Sequence, residues 1–302
     1  MMENNSLLKD FWQRALGKND MPPGDWNEQV KAIYQSGKGL EETLRYLYSE
    51  KPSLEDFMLW MDQGKNEENV ETLSEDVFTP DNISFFKENG YAVLRNAVTD
   101  EECNAAAQAI LEYLNADIND PATWYKPHEE MRGLMLMFYH HPALNANRNS
   151  RRIHKAYEQL YGSPGIHKVV DKVSFNPPEA SFYKFKGSPL HWDVSLVLPI
   201  PFKLQGLLYL NDVESDGGAF YCVPGFHNQI EEWLNGLPEN VNPREEALRQ
   251  LKPVPVTGKA GDLIIWHQAL PHCASPNYST TPRFVQYITY DPNDLVKQEV
   301  WK

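Results

Sequence analysis

Apolar residues return every three or four positions along the first sixty residues, in SLLKDFWQRAL (6–16), DWNEQVKAIYQSG (25–37), GLEETLRYLYSE (39–50) and, past Pro52, SLEDFMLWMDQ (53–63). That period matches the turn of an amphipathic helix, so helices are predicted at all four, the last opened by Ser53 with Asp56 as an N-cap pair. From Asp62 to Asp76 the pattern dissolves into DQGKNEENVETLSED, expected to be a solvated linker or a frayed helix, with a boundary near residue 77. Beyond it FFKENG closes a helix at Asn89-Gly90, YAVLRNAV reads as a strand, and Thr99 or Asp100 caps a long amphipathic helix. Residues 120–165 mix aromatics with histidines and predict loops and a helix.

After Gly165 the period shortens. KVVDKVSFN, ASFYKFKG, WDVSLVLPI, KLQGLLYLND, GAFYCVPG, GDLIIWHQ and RFVQYITYD are short, rich in β-branched and aromatic residues, and separated by Gly, Pro and Asn. Such spacing predicts a barrel or sandwich, interrupted at about 228–252 by a largely helical insertion. The organisation expected is an N-terminal helical region with its acidic linker (1–77), then a mainly β domain with flanking helices (78–302).

Composition narrows the function. The 302 residues suffice for a sizeable core, and a formal charge of −14 argues against a nucleic-acid binder, which needs Lys and Arg against phosphates. Cys103, Cys222 and Cys273 form no CxxC pair and fit neither a disulfide scaffold nor a structural zinc site. The N-terminus lacks the apolar run of a secretory signal, and no stretch reaches the length of a membrane span, so a cytoplasmic protein without membrane contact is expected.

The candidate chemistry lies in SPLHWDVSLVL. On a strand, His191 and Asp193 leave the same face, presenting an imidazole beside a carboxylate. A second histidine from a neighbouring strand would complete a two-histidine, one-carboxylate set with open positions, the ligand set of non-haem iron(II) oxygenases. His-x-Asp alone is a weak signal that any strand can carry by chance, and taken by itself it reads first as a polar barrel rim. Downstream, GDLIIWHQALPHCASPNYSTTPRFVQYI runs strand, turn with His272, then Asn277, Ser279 and Arg283 at the start of another strand.

With these motifs, residues 80–292 resemble the phytanoyl-CoA dioxygenase family of 2-oxoglutarate-dependent oxygenases, in the double-stranded β-helix (jelly-roll, cupin-like) superfamily. The resemblance implies that His191, Asp193 and His272 bind Fe(II). It further implies that Arg283, eleven residues after His272, holds the distal carboxylate of 2-oxoglutarate while O2 is consumed. A planar, permanently charged guanidinium suits that task. His267 competes with His272, although alternation along GDLIIWH makes it an ordinary barrel residue. Where relatives carry a Ser two residues after the distal His, this chain has Ala274; Ser279, or Ser275, would take that role. By analogy Gln205 and Tyr209 face the co-substrate, with core packing the rival explanation for Tyr209. Tyr183 or Lys184 faces the pocket, and Trp124, Tyr125 and Arg132 are candidate substrate contacts. His227 reads as scaffold. Asp193 points to hydroxylation rather than halogenation, since halogenating relatives have a small residue there. A small-molecule metabolite is the expected substrate, with Arg148, Arg151, Arg152 and Lys155 as one basic patch for an anionic one. The oligomeric state, monomer or homodimer, is left open. The alternative is a cupin-like metal- or ligand-binding barrel that is not an oxygenase, for which Arg283 has no use.

Overall fold

Residues 2–18, 26–63, 73–296, 298 and 300–302 are described by a computed structural model. Helices α1 (Met2–Ala15), α2 (Trp26–Gln35), α3 (Leu40–Glu50) and α4 (Leu54–Asp62) come first. Their apolar stripes meet in a cluster of their own, with Leu8, Phe11, Ile33, Leu47, Phe57 and Met61 all buried. Ser53 opens α4 by accepting from Asp56 N at 3.1 Å. Asp25 and most of the predicted linker, residues 64–72, lie outside the described residues.

Helix α5 (Pro80–Asn89) is capped by Thr79 and stops at Gly90, whose φ of 79° turns the chain into β1 (Tyr91–Leu94). Thr99, not Asp100, caps α6 (Asp100–Leu114): its hydroxyl accepts from Glu102 N, and the Glu102 carboxylate accepts from Thr99 N. A hairpin of β2 (Met131–Arg132) and β3 (Met135–Leu136) follows where only loops and a helix were expected, then α7 (Pro142–Arg148) and α8 (Arg151–Tyr161). The remaining strands are β4 (Ile166–Lys168), β5 (Val173–Asn176), β6 (Leu204–Tyr209), β7 (Phe220–Cys222), β8 (Val254–Val256), β9 (Leu263–His267), β10 (His272–Ala274), β11 (Arg283–Tyr287) and β12 (Tyr290–Pro292). Between β7 and β8 run α9 (Ile230–Gly236) and α10 (Pro243–Gln250).

The larger sheet has the order β1-β9-β6-β11-β5-β3-β2, the smaller β10-β7-β8, and β12 pairs with β4. Leu207, Tyr209, Ile264, Trp266 and Val285 of the larger sheet pack with Phe220, Cys222 and Val256 of the smaller one in a single core. The alternate residues Leu204, Leu208, Leu263, Ile265 and Phe284 bury against Ile110 of α6 and Ile153 and Tyr157 of α8. Each fully buried aliphatic side chain contributes about 1.5–3 kcal/mol. Burial on both faces explains why the central strands read as continuous apolar runs.

Two predicted strands do not form. In ASFYKFKG only a bridge between Ala180 and Tyr183 appears, and in WDVSLVLPI there is no strand, only the bridge of neighbouring His191 to His272. Pro177, Pro178, Pro189, Pro199 and Pro201 remove ladder donors around both segments. The apolar alternation nevertheless serves the core, because Trp192, Val194 and Leu196 are buried in it. Ladder bonds are replaced by the chain's end: Leu196 N donates to Lys302 O at 3.2 Å, and Gln298 Nε2 to Ser195 O and Val197 O at 3.1 and 2.9 Å.

Candidate active site

His191 and His272 exchange both backbone N–H···O bonds at 2.9 Å, which adds His191 to the edge of the smaller sheet beside β10. Asp193 sits in irregular backbone, so its convergence with His191 does not come from a shared strand face as expected. Arg244, at the start of α10, fixes it instead, donating to Trp192 O at 2.8 Å and Val194 O at 2.7 Å, the carbonyls on either side. The Trp192 indole is buried and donates to Ala269 O at 2.9 Å.

Both imidazoles present Nε2 to the carboxylate: His191 to Oδ1 at 3.5 Å, His272 to Oδ2 at 3.3 Å. Their Nδ1 atoms lie 2.7 Å from Pro189 O and 3.1 Å from Leu270 O. A carbonyl only accepts, so each Nδ1 carries a proton and the neutral ring keeps its lone pair on Nε2. Burial alone would raise the Asp193 carboxyl, but His191 and then His272 outweigh it and hold that pKa far below the usual range. Burial pulls His191 the other way, and Asp193 overrides it to raise the imidazole pKa. The three ligand atoms lie within 4.8 Å of one another, so two nitrogens and one oxygen can hold one metal ion and leave positions open.

The triad opens into a cavity of about 440 Å³ lined also by Gln205, Phe220, Trp266, Arg283 and Tyr287, with Arg132, Met135, Lys172 and Lys186 further out. Arg283 is buried and donates to Gly218 O at 2.6 Å and Ser174 Oγ at 2.7 Å, two of its five N–H donors. Its Nε has no partner among the described residues. Gly218 holds φ at 79°, where a Cβ would come within 2.5 Å of Asn176 Nδ2. A buried guanidinium with donors to spare, in the same cavity as a metal-ligand set, fits a carboxylate co-substrate.

Other expected contacts are placed differently. Gln205 reaches Asp193 Oδ2 at 2.8 Å and so touches the carboxylate of the triad. Tyr209 is in the core beneath the cavity, its hydroxyl donating to Val256 O and accepting from Phe220 N, because those groups would otherwise be buried unpaired. Ser279 turns away to Asn277 Oδ1 and Thr281 O. Ser275 is outside the lining, and its buried hydroxyl has no partner among the described residues. Trp124 is buried against Asp117 O, and Tyr125 binds Pro178 O and packs on Phe182 and Tyr183. Neither Tyr183 nor Lys184 lines the cavity; Lys184 pairs with Glu179 at 3.0 Å, and the next lysine, Lys186, is among the lining residues. Of the four substrate candidates Arg132 alone is in the lining. His267 is on the opposite face of β9 with His227, ring centroids 5.3 Å apart. Of the basic run 148–155, Arg148 is buried on Tyr139 O and Asp171 O, Arg152 holds Arg95 O and Asn96 O, and Lys155 faces Asp76 and Glu158, while Arg151 and Arg152 are exposed and none of the four lines the cavity of the triad.

Ser174, Tyr287, Lys172, Lys186 and Arg244 were missed. Alternation from Arg283 through Val285 points to Tyr287, but Ser174 depends on cross-strand register and Arg244 on the docking of an insertion, neither of which is written locally.

The family model of phytanoyl-CoA dioxygenase (PhyH) matches residues 86–285. A putative phytanoyl-CoA dioxygenase of Dictyostelium discoideum is 24% identical over 70% of this chain and 75% of its own. An ectoine dioxygenase of Bordetella bronchiseptica is 22% identical, covering 72% and 76%. Among solved structures, the non-haem α-ketoglutarate-dependent carbocyclase SnoK from nogalamycin biosynthesis superposes with a TM-score of 0.53 at 18% identity over 76% of this chain and 88% of that one, a likeness of fold. The chain belongs to the phytanoyl-CoA dioxygenase family and is an iron- and 2-oxoglutarate-dependent dioxygenase.

Proposed function

We propose that His191, Asp193 and His272 hold iron(II), that Arg283 receives the far carboxylate of 2-oxoglutarate, and that the reaction hydroxylates an unactivated C–H bond of a small molecule. The observation that carries this reading is the single cavity shared by the Nε2–Nε2–carboxylate set and the buried guanidinium. The two facing sheets are read as the double-stranded β-helix of the superfamily.

Bound iron(II) supplies the redox chemistry, in which O2 oxidatively decarboxylates 2-oxoglutarate to succinate and carbon dioxide and the substrate gains a hydroxyl. The chain supplies binding, orientation and exclusion of water. Pro189 O and Leu270 O select the histidine tautomers. Gln205 donates to Asp193 Oδ2, which steadies the carboxylate in its ionised form. Ser174 and Gly218 O aim Arg283, while Phe220 and Trp266 give the cavity an apolar side. With Asp193 in the carboxylate position, no coordination site is vacated for halide.

Aerobic incubation with iron(II), ascorbate and 2-oxoglutarate is expected to yield succinate slowly without added substrate, and Arg283→Ala to lose that turnover at moderate 2-oxoglutarate. Succinate no faster than in protein-free controls would overturn the reading.

A further inference from the structure

We propose that the substrate of this site carries an anionic group, a carboxylate or a phosphate, received at the cavity mouth by Arg132 and Lys186. The inference rests on the iron and 2-oxoglutarate reading of the deeper residues and names what lies outside them.

In formal charge, iron(II), Asp193, 2-oxoglutarate and Arg283 neutralise one another, so the inner site leaves no cation over. Of the three cations further out, Lys172 is already matched, with its ammonium 2.6 Å from Glu41 and 3.4 Å from Asp171. Among the described residues Arg132 meets only main-chain carbonyls, Glu129 O at 2.5 Å and Met131 O at 2.9 Å. Lys186 stands over the Tyr183 ring at 5.2 Å and has no carboxylate partner among the described residues. Two cations with no carboxylate partner among the described residues thus belong to the lining of one cavity, in a chain with a formal charge of −14.

They also flank one opening. Gly133, the residue after Arg132, has φ 63°, and a Cβ there would lie 2.8 Å from Lys186 O. The tip of the β2–β3 hairpin and the segment carrying Lys186 therefore abut, and only glycine permits the approach. An anion at this junction takes planar paired donors from the guanidinium and a point charge from the ammonium. The reacting carbon of the same molecule then lies inward, towards the triad.

The test uses the full chain loaded with iron(II) and saturated with 2-oxoglutarate, without oxygen. Hexanoate, hexyl phosphate and 1-hexanol are titrated at fixed ionic strength by calorimetry, and again on metal-free protein. At least one anion is expected to bind more tightly than the alcohol, and the tighter anion tells carboxylate from phosphate. Arg132→Gln and Lys186→Gln should each weaken that anion about three- to fivefold, the scale of exposed ion pairs, and the alcohol not at all. Lys184→Gln, on the same segment but outside the cavity, should leave anion affinity unchanged. Equal binding of anions and alcohol, no anion binding to either form, or variants indistinguishable from the parent would overturn the proposal. Loss of 2-oxoglutarate binding with anion discrimination intact would count against the iron reading and not this one.

Discussion

Pro189 and Leu270 each set a carbonyl against the Nδ1 of a histidine two residues on, and so a backbone detail decides which nitrogen can bind metal. His191→Ala or His272→Ala should abolish stoichiometric iron(II) binding in a competition assay, whereas His267→Gln should not. That variant has another signature. Burial first and His227 second push the His267 pKa down to about 4, so the folded ring stays neutral where the unfolded one, with a pKa of about 6.5, takes a proton. Its contribution is complete above about pH 6.5 and is lost as pH falls towards 4. The loss of unfolding free energy over that window should shrink in His267→Gln by on the order of 2 kcal/mol, read from denaturant titrations at each pH. Arg283→Lys loses the planar fork, and the 2-oxoglutarate Kd should rise at least about tenfold. Most of these residues were legible, because the His-x-Asp pair, the distal histidine and the arginine at its interval sit in local segments. Ser174 was not, since only β5–β11 register brings it under Arg283.

The regular strands β6, β9 and β11 follow their apolar runs, whereas residues 180–200 show how alternation misleads. Burial requires only that apolar side chains point inward, and the segment holding Trp192, Val194 and Leu196 does so without a ladder. Side chains and the C-terminal residues bind its carbonyls instead. The consequence falls on Asp193, whose flanking carbonyls both depend on Arg244 of α10. Arg244→Ala is expected to weaken iron(II) affinity about tenfold, the usual scale for groups that orient ligands, and Arg244→Lys to recover part of it. Unchanged metal affinity with a lowered Tm would show that the arginine serves stability alone.

Across the whole molecule, the N-terminal helices reach the oxygenase part through polar contacts, Glu41 with Lys172, Glu42 with His140 at 2.8 Å and Asn27 with Leu295 O at 2.7 Å, and through Tyr34 of α2, which packs on Met137, Tyr139 and Val170. Their interior is separate, so Phe57→Ala should cost about 3–5 kcal/mol within that cluster and leave iron(II) affinity near its parent value. Such docking involves residues far apart in sequence and left no trace in the pattern. Among the described residues no helix is long and apolar enough to cross a membrane. The central claim is that one cavity binds iron(II) through His191, Asp193 and His272 and 2-oxoglutarate through Arg283. An anaerobic titration of the iron-loaded chain with 2-oxoglutarate, followed through the visible metal-to-ligand charge-transfer band, tests it most directly. The account predicts a band saturating at one equivalent, absent in His272→Ala and shifted to higher 2-oxoglutarate in Arg283→Lys; no band, or a full one in His272→Ala, would contradict it.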